Sequence, residues 1–219
     1  MALQRHEIWV DFGLSGLTRW FHRLGSTGTA MEIVVGAADW GEGSFAPALL
    51  EDALRLLESP LSTRTLDILW CAATEREYTP DRWIDGRQWL RQIAEACVER
   101  IRKDDPSFVP EPLGPAPYEG RKDTVLAEIR AVGPALDQAT AEHPYQSVPD
   151  VVAALEQAVT QADPDLGFRL FLRAMKAYRV PISESRYDLY HAIGESFGYS
   201  EFVVDDGDLV VAPSPDRSP

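Results

Sequence analysis

The sequence predicts a mainly α-helical protein. It reads as a multi-helix bundle of about six to seven helices in two halves, with minor β structure in a short N-terminal strand and a C-terminal hairpin. Three observations carry this reading. Apolar residues recur at helical spacing through most of the chain, capping residues and prolines bracket the periodic stretches, and one proline-dense segment separates two groups of them.

Residues 1–30 stand apart. They hold Arg5, Arg19 and Arg23 against Glu7 and Asp11, in a chain that is otherwise acidic. Asp11, Arg19 and Arg23 interrupt every candidate apolar core of a secretory signal. Trp9, Phe12, Leu17, Trp20, Phe21 and Leu24 offer the alternative of a short membrane-surface helix. The simpler expectation is a leader or loose arm ahead of a folded start at Met31.

The first helical half is expected over 31–103. Ile33 to Val35 is a short apolar run that reads as a strand, followed by a glycine-rich turn through Gly36, Gly41 and Gly43. Leu49, Leu50, Ala53, Leu56 and Leu57 recur with helical period, and Ser59-Pro60 stops them. Ser62 caps a helix with Leu66, Leu69, Trp70 and Ala73 inside. After the Thr79-Pro80 turn, Leu90, Ile93, Ala94, Cys97, Val98 and Ile101 form a stripe that only a helix buries on one face. Trp83 and Trp89 flank Asp85-Gly86, which puts one of them near the surface.

Residues 104–122 form the linker, with Pro106, Pro110, Pro112, Pro115 and Pro117 fixing φ and removing amide donors. The second helical half spans 123–211. It opens with Val125, Ile129, Val132 and Leu136, on a helix kinked at Gly133-Pro134. Ser147 caps the next helix, whose stripe is Val148, Val151, Val152, Leu155 and Val159. Asp163-Pro164 opens a helix that Pro181 closes, and Ser183 caps another that ends at Gly198. Apolar residues on both sides of Asp206-Gly207 signal a hairpin, because that dipeptide accepts positive φ. Residues 212–219 read as a disordered tail.

Composition narrows the function. The chain has 219 residues, 35 acidic against 21 basic, for a formal charge of −14. So negative a surface repels phosphate backbones, which excludes nucleic acid as the expected partner. No stretch has the roughly 18 apolar residues of a membrane span. Asparagine is absent and only Lys103, Lys122 and Lys176 are lysines, which reads as a GC-rich, bacterial coding sequence. Cys71 and Cys97 fall in helical patterns, where buried reduced thiols and a cytoplasmic location are expected.

The motifs of common chemistries are missing. There is no phosphate-binding GxxxxGK[ST] loop, no GxGxxG, no HExxH and no CxxC. Histidine is scarce: His6, His22, His143 and His191. No catalytic residue, metal ligand or cofactor is therefore assigned. Gly194-Glu195-Ser196-Phe197-Gly198 matches the GxSxG nucleophile elbow, but its approach is helical and no histidine follows Ser196. A helix ending on a C′ glycine explains the same residues. Asp205, Asp206 and Asp208 lack the alternating ligands and closing glutamate of a calcium loop and read as a turn.

The segment Leu166 to Tyr178 is the most basic and most apolar helix, with Arg169, Arg173 and Lys176 along one edge. It reads as a central core helix, or alternatively as an anion site in which arginine forks grip a carboxylate or phosphate. Two functional expectations follow. The first is an acidic, non-catalytic binding protein, such as a bacterial toxin-neutralising immunity protein, meeting a basic partner through Glu195, Glu201, Asp205, Asp206 and Asp208. The alternative is a helical small-molecule or anion-binding sensor or enzyme, with Arg169, Arg173 and Tyr190 lining its pocket.

Overall fold

The computed structural model describes residues 8, 10–21, 29–74, 84–143 and 147–212. Ten α-helices are found among the described residues, more than the sequence predicts. Short elements account for the excess. Trp83, the Thr79-Pro80 turn and residues 213–219 lie outside the described residues, as do Trp9, His6, His22 and Leu24.

The N-terminal segment departs most from expectation. Residues 13–21 form α1 (Gly13–Phe21), and Leu14, Leu17 and Phe21 are buried in the core with Phe12 just before it. This stretch is no loose arm. Gly13 has φ +61, and a Cβ there would collide with the carboxylate of Asp52, so glycine is what lets the helix start so close to α3.

No strand occurs at Ile33–Val35. Those residues lie inside α2 (Ala30–Asp39), which begins with a reciprocal capping box: the Thr29 hydroxyl accepts from the Glu32 amide, and the Glu32 carboxylate accepts from the Thr29 amide. Ile33, Val34, Ala37 and Ala38 turn inward at helical spacing. Gly36 is helical, and the turn is made by Gly41 and Gly43 with Glu42, all at positive φ.

Helix α3 (Ala46–Glu58) packs along α5 (Gly86–Asp104), with α4 (Thr63–Ala73) between them in the chain. Ser62 caps α4 and Asp85 caps α5, each through its side chain. Trp70 and Trp89 meet edge to face at 5.4 Å inside this group. Residues 105–118 then run over the surface. They are held by Arg55, which donates to the Gly114 carbonyl, and by Tyr118, whose ring packs edge-on against Phe197 at 5.1 Å.

Helix α6 (Lys122–Ala141) continues unbroken through Pro134. Helix α7 (Val151–Gln161) starts at Asp150, in the left-handed region at φ 64, rather than at Ser147. Val148 is buried but precedes the helix. Helix α8 (Pro164–Ala177) is capped by Asp163, whose carboxylate accepts from the amides of Asp165 and Leu166. Every residue of α8 is buried, and it touches α1, α4, α6, α7 and α10. The buried side chains from both sides of the proline-rich segment join in one cluster around it.

Helix α9 (Glu184–Ser196) is capped by Ser183 and ends in a Schellman motif: the Tyr199 amide donates to Gly194 O and the Gly198 amide to Glu195 O, with Gly198 at φ +77. The expected C-terminal hairpin is absent. Glu201–Val204 form the single-turn helix α10, and no strand is present among the described residues. Asp205 Oδ1 accepts from the Gly207 and Leu209 amides, which closes a side-chain turn where the hairpin was expected. The segment after it pairs once, in parallel, at Ile182 and Val211.

Candidate functional site

Two groups of side chains were expected to carry function, and the structure divides the basic one in two and keeps both parts apart from the acidic set. The first centres on Arg169. Its Nη1 and Nη2 donate to the two oxygens of Asp52, both at 2.7 Å, and Nη2 also reaches Asp165 at 3.2 Å. Nη1 further donates to the Phe12 carbonyl and the Ser15 hydroxyl, and the guanidinium carbon lies 4.4 Å over the Phe12 ring. Asp165 also accepts from the Tyr199 hydroxyl. Burial opposes the Arg169 charge, but Asp52 and Asp165 outweigh it and hold its pKa well above the ordinary value. Arg169 is thus a bolt joining α8, α3 and α1, with only Nε lacking an acceptor.

Tyr190 does not join it. Its ring is fully buried and meets Phe168 and Phe171 edge-on at 6.2 and 5.6 Å. Burial, with Glu128 nearby, pushes its phenol pKa up. The expected trio of Arg169, Arg173 and Tyr190 therefore forms no common pocket wall.

The second group lies one to two turns further along α8. Arg173 and Lys176 are 2% and 4% exposed, although each carries a charge. Lys176 and Arg19 both reach Asp206, each at 3.0 Å. Arg173 makes no ion pair among the described residues, and its Nε and Nη1 find no acceptor. Asp11 is buried nearby and accepts from Ser15. Burial raises the Asp11 pKa despite the opposing pull of Lys176, Arg173 and Arg169. At Asp206 burial pushes upward too, but Lys176, Arg19 and Arg173 together hold the carboxyl below its usual range.

The third group is the acidic set. Asp206 leaves it, because its side chain is turned inward to the cations just described and is only 6% exposed. Asp205 is half-buried and occupied in its turn, while Glu195, Glu201 and Asp208 are exposed. Glu195 and Glu201 flank a shallow, open groove of about 470 Å³ together with Tyr187, Asp188, His191 and Ala192. Burial raises the Tyr187 phenol pKa, helped by Asp205, Glu201 and Asp188. Leu189 and Phe202, from the same two helices, are exposed apolar side chains. The sequence offered Tyr187 and Phe202 only as aromatics for a pocket or interface and weighed His191 only beside Ser196; it missed Asp188 here.

The Ser196 hydroxyl donates to the Ile193 carbonyl one turn back at 2.7 Å, and the His191 ring lies tilted against Tyr187 with centroids 4.6 Å apart. Among the described residues no group of three His, Cys, Asp or Glu is placed to hold a metal ion. None of the described helices is long and apolar enough to cross a membrane. Cys71 and Cys97 are not joined in a disulfide. Asp52 and Asp11 were overlooked in the sequence. A signal existed for Asp52, which sits on the apolar stripe between Leu49 and Leu56 and so demanded a buried cation.

No family model, curated protein or solved structure matches this chain. The architecture defines a helical, acidic protein built around one fully buried basic helix, and the assignment of function rests on its own side chains.

Proposed function

We propose that this chain is a non-catalytic binding protein that meets a basic protein through the acidic groove between α9 and α10. The observation that carries it is the grouping of Asp188, Glu195 and Glu201 around one open groove, with Leu189 and Phe202 exposed on the same two helices. Carboxylates with apolar neighbours suit a partner that supplies lysine or arginine. Such charge complementarity speeds association and restricts partner choice. A toxin-neutralising immunity protein is the member of this class that the composition suggests: a nucleic-acid-directed toxin carries a cationic groove, and an anionic surface of this kind blocks it.

The test is a comparison between the native protein and a variant carrying Asp188→Lys, Glu195→Lys and Glu201→Lys. Both are used as bait in lysate of the source organism, and retained proteins are identified by mass spectrometry. The expected outcome is a stoichiometric basic protein on the native bait, released by high salt and absent from the variant. Retention by both baits alike, or of acidic proteins only, overturns the proposal.

A further inference from the structure

A cavity of about 260 Å³ opens between α1 and the turn joining α2 to α3, and its wall mixes charged with aromatic side chains: Asp11, Arg19, Trp20, Trp40 and Phe45. Trp40 and Phe45 meet edge to face at 5.1 Å, and the Trp40 ring is 46% exposed at the rim. The turn that carries Trp40 is held in place. Glu42 takes a positive φ there between two glycines, a conformation that persists only where the surroundings enforce it. Arg100 does so, packed where a Cβ at Gly43 would stand and paired with Asp39 and Asp104. The cavity is smaller than the ~300–1,000 Å³ of pockets for drug-sized ligands, so its occupant is a small molecule.

The charges around this cavity balance, which favours an occupant without net charge. Three carboxylates, Asp11, Asp206 and Asp208, act on the three cations Arg19, Arg173 and Lys176. Two of these groups still keep bonding capacity at the cavity wall. One oxygen of Asp11 accepts from the Ser15 hydroxyl at 2.6 Å, and the other meets no donor among the described residues without being sealed from solvent. Arg19 meets Asp206 through Nε at 3.0 Å and is 30% exposed, and its two terminal nitrogens have no acceptor among the described residues. Helical side chains lean toward the N-terminus of their helix, which carries the Arg19 guanidinium back along α1 toward Asp11. Lys176 keeps the two in one neighbourhood, acting on Asp11 while it pairs with the same Asp206 that holds Arg19. A free acceptor and a free donor fork thus share a wall with three aromatic rings.

We propose that this cavity binds a free α-amino acid with a large apolar side chain, its ammonium on Asp11, its carboxylate on the Arg19 fork and its side chain against Trp20, Trp40 and Phe45. A zwitterion leaves the local charge balance as it is and satisfies both open groups at once. An ammonium donates to a carboxylate oxygen, and a guanidinium fork matches a carboxylate in two bonds. Apolar and aromatic groups pack well on tryptophan faces and edges. The site is separate from the acidic groove between α9 and α10 and does not rest on the function proposed there.

Calorimetric titration of the full chain with L-phenylalanine and L-leucine tests this. Phenethylamine and isoamylamine lack the carboxylate, and hydrocinnamate and isocaproate lack the ammonium. At least one amino acid is expected to bind saturably at one per chain, with its amine and its acid each at least ~10-fold weaker, the loss expected for a charge-assisted bond. Trp40→Ala, at a half-exposed ring, is expected to keep a cooperative thermal melt and weaken binding by ~10-fold. Arg19→Gln is expected to weaken the amino acid by ~10-fold and to remove most of its advantage over the amine. No heat from either amino acid at millimolar concentration overturns the assignment. So does equal or stronger binding of an amine or acid counterpart, and so does native affinity in either variant.

Discussion

Replacing Asp52 with alanine takes from Arg169 its two shortest carboxylate bonds and leaves Asp165, at 3.2 Å, as its one buried counter-ion. The native carboxylate accepts two guanidinium bonds and the Leu14 amide at the first turn of α1, all at 2.7 Å. Arg169 is 1% exposed, so no water takes over. Removing one partner of a buried pair costs about 3–5 kcal/mol. The orphaned Leu14 amide adds ~1 kcal/mol or more. The expected loss is therefore about 4–6 kcal/mol, a large part of the ~5–15 kcal/mol that holds a domain folded. Urea unfolding followed through the buried Trp70 and Trp89 measures it. A second variant separates charge from packing. Asp52→Leu combined with Arg169→Met removes both ions and fills their space, and such exchanges are often neutral or stabilising. The double variant should be more stable than Asp52→Ala alone, with Asp165 still accepting from Tyr199. A cost below ~1 kcal/mol for Asp52→Ala, or single effects that simply add, would refute the bolt.

Two further outcomes follow from the same core. Deleting residues 1–30 removes Phe12, Leu14, Leu17 and Phe21, each buried and each worth ~1.5–3 kcal/mol of burial, so the shortened chain is expected to lose its cooperative melt by circular dichroism. Asp206→Asn is expected to destabilise the protein at neutral pH. The folded-state pKa of Asp206 lies below its ordinary value, so the stability it adds is complete above the ~3.9 of an unfolded aspartate and is lost as pH falls through the lower folded value. Native and variant stabilities, compared by urea titration across pH, should thus converge in acid; a gap that widens on acidification contradicts the assignment.

The legible parts of the fold were those whose information is local. The stripe Leu90, Ile93, Ala94 and Cys97 spans several turns and is buried as a helix face, and Ser62 and Ser183 cap the helices that follow them. Ile33–Val35 was misread because three adjacent apolar residues carry no period, and the deciding signal was the Thr29 and Glu32 pair upstream. Asp206-Gly207 was misread as a hairpin because Val203 and Val204 do not extend. They bury, with Val204 seated where a side chain at Gly194 would otherwise stand. The role of α1 was illegible for a further reason. Asp11 and Arg19 look too polar for a core segment, and what makes them tolerable are Ser15, Lys176, Arg173 and Asp206, most of them more than 150 positions away in the chain. Binary patterning has no access to pairs of that separation.

That same separation sorts the acidic residues by what they do. Asp205, Asp206 and Asp208 look interchangeable in sequence, yet Asp206 is spent on Lys176 and Arg19, Asp205 closes its own turn, and Asp208 faces solvent. Charge density along the chain is therefore a poor guide to charge offered to a partner. Glu195 and Glu201, with Asp188, carry their negative charge outward from helix faces whose buried sides hold Tyr190, Ile193, Val203 and Val204. Exposed substitutions of that kind usually alter stability by less than ~0.5 kcal/mol. Changes at Asp206, by contrast, act on the fold. A loss of partner binding on changing Asp206 would report the collapse of the Arg19–Asp206–Lys176 ties, and only the exposed trio reports the surface itself.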